Sequence, residues 1–263
     1  MKLIACDLDG TLLDDQKRPD PYLKELLPQL NERGIQFTIV SGRNEEIMDQ
    51  YVDYYDCHLP YVTNNGGNIY KDHVCIENDC IPSSYNTAYL RALYERGVAF
   101  RAYAVEGFYA YSATDFFTKR MASVIHLMKP YDPLEDQSQY HFYKITADFQ
   151  DHPEELEGFQ EFVRRELPEM SFLKAENYVY CANSKTATKG LALKKVCGML
   201  GISMEEVIAF GDNATDLSML ETAGMGVAVG NSSEDIKKRC DHVCGDNNHH
   251  GVSLFLKEYF HLQ

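Results

Sequence analysis

No run of eighteen apolar residues occurs in the 263-residue sequence, which argues against a transmembrane helix. The first six residues, Met1 to Cys6, reach Asp7 after too few apolar side chains for the hydrophobic segment of a secretory signal, so a soluble, cytoplasmic protein is expected. Basic residues are also scarce: 25 Lys and Arg against 40 Asp and Glu leave a formal charge of −15. Coating nucleic-acid backbone or lying on an anionic membrane needs a cationic face, and neither partner is expected. A small anionic ligand is not excluded, because local cations or a metal ion override the global sign. Tryptophan is absent and tyrosine abundant, neither of which points to a function. The eight cysteines form no disulfide-like framework; Cys6, Cys57, Cys181 and Cys197 stand singly among hydrophobic residues, as reduced core thiols do. Cys240 and Cys244, with His249 and His250 nearby, are separated by a three-residue gap that fits no common zinc arrangement.

What is present is an ordinary globular composition, 44% hydrophobic and 25% charged, in a chain long enough to bury roughly 73% of its surface. Three regions follow one another. From residue 1 to 79, short apolar runs at 2–6, 36–40 and 60–63 alternate with helical patterns. Leu23, Leu26, Leu27 and Leu30 mark one helix face, which Pro28 should kink or interrupt. Asn44 is placed to cap the next helix, and Asn64-Asn65-Gly66-Gly67 reads as a turn opening a hairpin. Residues 80–183 change character: helices at 82–96 and 153–167 are mixed with strands at 99–105, 108–112, 140–149, 171–174 and 178–182. From 184 to 263, strict alternation returns, with a helix at 189–201, a strand at 207–210 and a helix at 216–223. The pattern predicts a doubly wound, Rossmann-like parallel α/β core made from residues 1–79 and 184–263, interrupted by an α+β insert over 80–183.

Asp7 and Asp9 stand two apart at the end of the first strand, so both carboxylates face one side if extended geometry continues. In an open parallel sheet, ligands bind beyond the carboxyl ends of the strands. Two carboxylates meeting there invite a hard divalent cation, Mg²⁺ in the first instance; solvated turn acids are the plainer alternative. Polar groups recur at equivalent places: Ser41-Gly42 after the second strand, Asp212 after the strand at 207–210, and Lys189 at a helix start. Each alone reads as an ordinary turn or surface residue. Together they supply a hydroxyl, backbone donors, an ammonium and metal-holding carboxylates, the parts of a phosphate site.

Asp7-Leu8-Asp9-Gly10-Thr11, Ser41-Gly42-Arg43, Lys189-Gly190 and Gly211-Asp212-Asn213-Ala214-Thr215-Asp216 resemble, in order, the four motifs of the haloacid dehalogenase-like hydrolases. The insert between the second and third motifs is similar to the cap of subfamily IIB. Asn65-Gly66, residues 216–220 and Val227 to Asn231 look like the Cof-type branch of phosphatases. The resemblance implies Asp7 as nucleophile and Asp9 as general acid and base, the latter needing a carboxyl able to hold a proton near neutral pH. It implies Mg²⁺ held by the Asp7 carboxylate, the Asp9 carbonyl and Asp212, with Asp216 a further ligand or a support behind them. Ser41 and Lys189 would bind phosphoryl oxygens, helped by backbone groups of Leu8, Gly10 and Gly42. Thr11, Arg43, Asn65, Asn213 and Thr215 would lie close to substrate.

Two departures stand out. Thr215 takes a place where the branch usually has Asn, and Asn248-His249-His250-Gly251 replaces the usual acidic residues before the glycine. Lys185 is a rival to Lys189, but Lys189-Gly190 before a Leu-rich helix fits the motif better. The implied activity is Mg²⁺-dependent hydrolysis of a small phosphorylated metabolite, a sugar phosphate or similar monoester, through an aspartyl-phosphate. A phosphomutase of the same chemistry and a non-enzymatic phospho-receiver are the alternatives; receiver domains are shorter and lack the insert. The insert would set specificity, with Arg101, Tyr103, Tyr109, Tyr111, Lys144 and Asn183 as candidate contacts. The sequence does not indicate an oligomeric state.

Overall fold

The computed structural model describes residues 1–105, 107–111, 128–130 and 136–263; Ser112, the end of the strand expected at 108–112, lies outside them, as does Glu106 between the two expected strands. The chain divides into two compact units, Met1–Asn78 with Thr188–Gln263, and Asp79–Ala187. In chain order the first segment forms β1 (Leu3–Cys6), α1 (Pro21–Glu32), β2 (Gln36–Ile39), α2 (Glu45–Tyr54), β3 (Tyr61–Thr63), β4 (Asn68–Lys71) and β5 (Val74–Asn78). The second unit holds α3 (Ser83–Glu95), β6 (Ala99–Ala104), β7 (Gly107–Tyr111), β8 (Met128–Pro130), β9 (Phe142–Asp148), α4 (Leu156–Glu166), β10 (Met170–Glu176) and β11 (Val179–Ser184). The last segment adds α5 (Lys189–Leu200), β12 (Val207–Gly211), α6 (Leu217–Leu220), β13 (Met225–Ala228), α7 (Glu234–Lys237), β14 (His242–Val243) and α8 (Gly251–Tyr259).

The first unit is built on a parallel sheet of order β14-β13-β12-β1-β2. Side chains of a strand alternate between faces, and both faces are covered. Ile4, Cys6, Ile208 and Phe210 pack with Leu23, Leu26 and Leu30 of α1, Met48 of α2 and Leu256 of α8. Leu3, Ala5, Val207 and Ala209 pack on the other face with Leu193 and Val196 of α5 and Met219 of α6. This two-sided burial is why β1 and β12 read as continuous apolar runs. A three-stranded antiparallel sheet, β3-β4-β5, lies in the same unit. β5 was not anticipated because its side chains are exposed or half-buried throughout, leaving no buried apolar alternation to see.

Helix α1 runs through Pro28 without a break, contrary to the expected interruption. Its buried stripe of Leu23, Leu26 and Leu30 outweighs the roughly 3 kcal/mol that an interior proline costs. The helix expected over residues 216–223 is only Leu217–Leu220, with Asp216 standing before it as the N-cap residue.

The second unit is a six-stranded sheet of order β10-β11-β9-β6-β7-β8, antiparallel except where β7 meets β8. Tyr89, Leu90 and Leu93 of α3 and Phe159 and Val163 of α4 share one apolar cluster with Phe100, Ala102, Ile145, Ala147 and Ala182 of the sheet. Alternation then sends Arg101, Tyr103, Thr146, Cys181 and Asn183 to the opposite side.

Candidate active site

Sheet register gathers the site. Cys6 lies opposite Phe210 and Ile39 in adjacent strands, so the residues just past β1, β12 and β2 come level at one edge. Asp7 continues β1 by one residue, its N–H donating to the Phe210 carbonyl at 3.0 Å. The residue is 2% exposed. One carboxylate oxygen each from Asp7, Asp212 and Asp216 lie within 4.8 Å of one another. Asp216 is fully buried, and its Oδ2 accepts the N–H groups of Asp212 and Asn213, both at 3.0 Å. These bonds wrap the loop around Asp216 and explain why the helix starts one residue later. Asp212 accepts a bond from the Thr11 hydroxyl at 3.3 Å. Gly10 has φ +78°, and a Cβ there would fall 2.5 Å from Asp212 Oδ2; only glycine lets the loop after β1 close on Asp212.

Lys189 is the first residue of α5 and is buried. Its Nζ donates to Asp7 Oδ1 at 2.7 Å and also to Asp216 Oδ1. The Thr188 hydroxyl caps the helix by accepting the Leu191 N–H at 3.2 Å, and Ser218 Oγ accepts the Gly190 N–H at 3.0 Å. Lys185, the rival lysine, is exposed and belongs to the second unit. Burial, with repulsion from Asp216 and Asp212, outweighs the pull of Lys189 and holds the Asp7 carboxyl well above the usual carboxylate range. Burial and then repulsion from Asp216 push Asp212 up to about 6. Three carboxyl groups facing one ammonium offer hard oxygen donors, and the crowding that raises Asp7 and Asp212 is what a divalent cation such as Mg²⁺ would relieve, so the set fits such an ion. Among the described residues no other three His, Cys, Asp or Glu side chains converge this way; Cys240, Cys244, His249 and His250 do not.

Asp9 departs from expectation. Its carboxylate does not meet the other acids: Arg43 holds it with Nε–Oδ2 at 2.6 Å and Nη2–Oδ1 at 2.7 Å, and Lys17 Nζ donates to Oδ1 at 2.6 Å. Burial pushes its pKa up, but the bonds from Arg43 and Lys17 win and hold it at about 2. A carboxyl in this state has no proton to give near neutral pH. Sequence reasoning missed Lys17, because nothing in the motif marks a lysine eight residues past Asp9.

Ser41 is buried after β2; its N–H donates to the Val62 carbonyl at 2.9 Å and its Oγ accepts the Arg43 N–H at 3.2 Å. The turn after β3 braces this loop. Asn64 and Asn65 both have positive φ, and their N–H groups donate to the carbonyls of Arg43 (2.8 Å) and Ser41 (3.0 Å). A Cβ on Gly42 would lie 2.7 Å from Asn65 Oδ1. Leu8 is buried, its carbonyl accepting the N–H groups of Thr11, Leu12 and Leu13. Asn213 Oδ1 accepts both the N–H (2.9 Å) and the hydroxyl (2.6 Å) of Thr215, so the unusual threonine closes a turn on Asn213. Asn231 Nδ2 donates to the Gly10 carbonyl at 2.8 Å. This tie was not anticipated, although Asn231 ends one of the stretches that carry the family resemblance.

In the second unit the candidate contacts separate. Tyr109 lies in the apolar cluster beside Tyr140 and Phe142, and Tyr111 stacks on Phe100. Arg101 and Lys144 flank the Tyr103 ring at 5.9 and 5.8 Å, and Asn183 Nδ2 donates to the Tyr143 carbonyl at 2.8 Å.

The family model for haloacid dehalogenase-like hydrolases matches residues 4–256. The chain belongs to the haloacid dehalogenase-like hydrolases. The hydrolase is 31% identical to the pyridoxal phosphate phosphatase YbhA of Escherichia coli, over 99% of this chain and 98% of that one. It is 27% identical to a phosphoglycolate phosphatase of Methanobrevibacter smithii, over 97% of both chains. Its fold matches that of a haloacid dehalogenase-like hydrolase from Bacteroides thetaiotaomicron with TM-score 0.82 at 24% identity, covering 98% of this chain and 99% of that one. A subclass IIB sugar phosphatase superposes over the full length of both chains with TM-score 0.83 at 22% identity. Among the described residues no helix of the hydrolase is long and apolar enough to cross a membrane.

Proposed function

We propose that the hydrolase is a Mg²⁺-dependent phosphatase of small phosphorylated metabolites that works through a phosphorylated Asp7. The observation that carries this reading is the convergence of Asp7, Asp212 and Asp216 on one point with the Lys189 ammonium beside it. Asp7, Asp212 and the Asp9 carbonyl would hold the cation, with Asp216 as a further ligand or support. When bound, it supplies positive charge that draws a phosphate into an otherwise acidic site and keeps the Asp7 carboxylate ionised.

Asp7 attacks phosphorus in line with the ester oxygen, the P–O bond to the leaving group breaks, and Asp9 gives that oxygen its proton. Water then attacks phosphorus and passes a proton to Asp9 while phosphate leaves and Asp7 is restored. Lys189 and Ser41 with the Gly42 backbone neutralise the phosphoryl oxygens. For the proton steps, Asp9 must swing away from Arg43 and Lys17, whose bonds hold it deprotonated. Residues 80–183 would act as the cap that selects the leaving group and limits water. Transfer to water rather than to a second hydroxyl accords with the phosphatase names of the relatives. Eight free thiols suit a reducing cytoplasm.

The test is phosphate release from a panel of phosphorylated metabolites. Release with Mg²⁺ that disappears with a chelator supports the reading; no release from any ester overturns it.

A further inference from the structure

Arg43 and Lys17 are more than partners for Asp9. The two cations converge on one carboxylate from different segments, the guanidinium forking both oxygens and the ammonium sharing one. This is the geometry with which proteins recognise carboxylate and phosphate ligands. One buried side chain braces the Arg43 guanidinium and the backbone of Lys17. The Arg43 guanidinium lies over the Tyr51 ring at 5.0 Å, and the Tyr51 hydroxyl donates to the Lys17 carbonyl at 3.2 Å. Lys17 itself sits in a left-handed conformation (φ 63°), its N–H tied to the Asp14 carbonyl at 2.9 Å. The Arg43 guanidinium and the Lys17 backbone therefore stay in place when the Asp9 carboxylate moves, with the half-exposed Lys17 ammonium within reach of the same position. A carboxylate that leaves to serve the reaction takes the anion from both cations; the exposed Lys17 ammonium can turn to water, but Arg43 is largely buried and would be left without its anion.

We propose that Arg43 and Lys17 form a subsite for a second anionic group on the leaving portion of the substrate, a carboxylate or a second phosphate, which Asp9 occupies in its absence. The exchange deepens the phosphatase reading and rests on it. Substrate carrying two anions both displaces Asp9 toward the reacting ester and takes its partners; a substrate with one phosphate alone must leave the buried Arg43 without an anion. The preferred substrates are thus phosphate esters of hydroxy acids or bisphosphates, rather than neutral alcohol phosphates.

The experiment compares kcat/KM for 2-phosphoglycolate, 2-hydroxyethyl phosphate and a short diol bisphosphate, with p-nitrophenyl phosphate as the indicator of bare phosphatase chemistry. One dianionic ester should exceed the neutral ester by roughly tenfold or more, as charge-assisted hydrogen bonds supply; which of the two does so identifies the anion. Lys17→Gln should reduce that ratio toward one and Lys17→Arg should restore it, an effect on selectivity that loss of structure alone would not produce. Equal kcat/KM for neutral and dianionic esters in the wild type, or a ratio that survives Lys17→Gln, would overturn the subsite while leaving the phosphatase reading intact. Inactivity on every ester, including p-nitrophenyl phosphate, would overturn both.

Discussion

In the first unit Asp7, Lys189 and Asp216 are buried together at the carboxyl ends of parallel strands, with Asp9 and Arg43 beside them. The second unit buries rings instead: Tyr89, Phe149, Phe159, Phe172 and Tyr180 pack edge to face and stacked in one cluster. Buried charge contributes little net stability, because desolvation cancels much of the attraction; aromatic packing stabilises without offering any chemistry. If the proposed chemistry sits in the first unit, mutations of its buried charges should strike activity while mutations of the second unit's rings strike stability.

The largest effect should come from Asp7→Asn, which removes the nucleophile while keeping an oxygen for Lys189. Turnover should fall by roughly a thousandfold or more, with a thermal midpoint no lower than wild type; a variant that retains wild-type turnover would remove the nucleophile assignment. Lys189→Met should break both properties, since it leaves Asp7 and Asp216 facing each other with no buried cation. Denaturant unfolding near neutral pH should show a loss of about 3–5 kcal/mol, together with loss of activity. Stability equal to wild type would show that the carboxylates escape to solvent. Phe159→Ala probes the other unit: it should cost about 3–5 kcal/mol yet leave p-nitrophenyl phosphate hydrolysis measurable below the unfolding transition. An equal loss from an exposed position such as Leu173→Ala would blunt the distinction.

The smallest effect concerns a clasp in the first unit. His73, at the turn between β4 and β5, shares hydrogens with Glu45 (3.0 Å) and Asp53 (3.0 Å). The bond to Glu45 first, and that to Asp53, raise its pKa above the usual imidazole value. A raised folded-state pKa stabilises fully below the unfolded value and loses that contribution as pH rises through the folded one. His73→Gln should therefore cost about a few tenths of a kcal/mol at pH 5.5, as befits a solvent-screened pair, and nothing at pH 9. A constant difference across that range would assign the effect to packing.

The two units also differ in how far the sequence reveals them. Asp7, Ser41 and Asp212 follow strands and Lys189 begins a helix, places that motifs mark in the sequence, so fold class, family and the placement of these four residues in the first unit are legible there. The helices and most strands of the second unit followed from periodicity alone. Side-chain partners were less legible. The resemblance gives Asp9 its role, but not its neighbours in space, Arg43 and Lys17, which come from 34 and eight residues later. Tyr109 and Tyr111 are candidates by residue type alone, with sheet roles the plainer reading; alternation along β7 turns Tyr109 into the apolar cluster and Tyr111 onto Phe100 and Tyr94 of α3. Pro28 misled because propensity is local and the burial of the α1 stripe is not.

Covalent chemistry at Asp7 is the step on which the whole proposed reaction turns. Nitrophenolate departs without a proton, so p-nitrophenyl phosphate should phosphorylate the Asp9→Asn protein, while the missing base slows attack by water. Acid quenching followed by peptide mass spectrometry is predicted to find one phosphoryl group on the peptide carrying Asp7, labile at alkaline pH and absent from Asp7→Asn. Sustained turnover with no phosphoryl group on that peptide at any time, or a phosphoryl group on another residue, would contradict it.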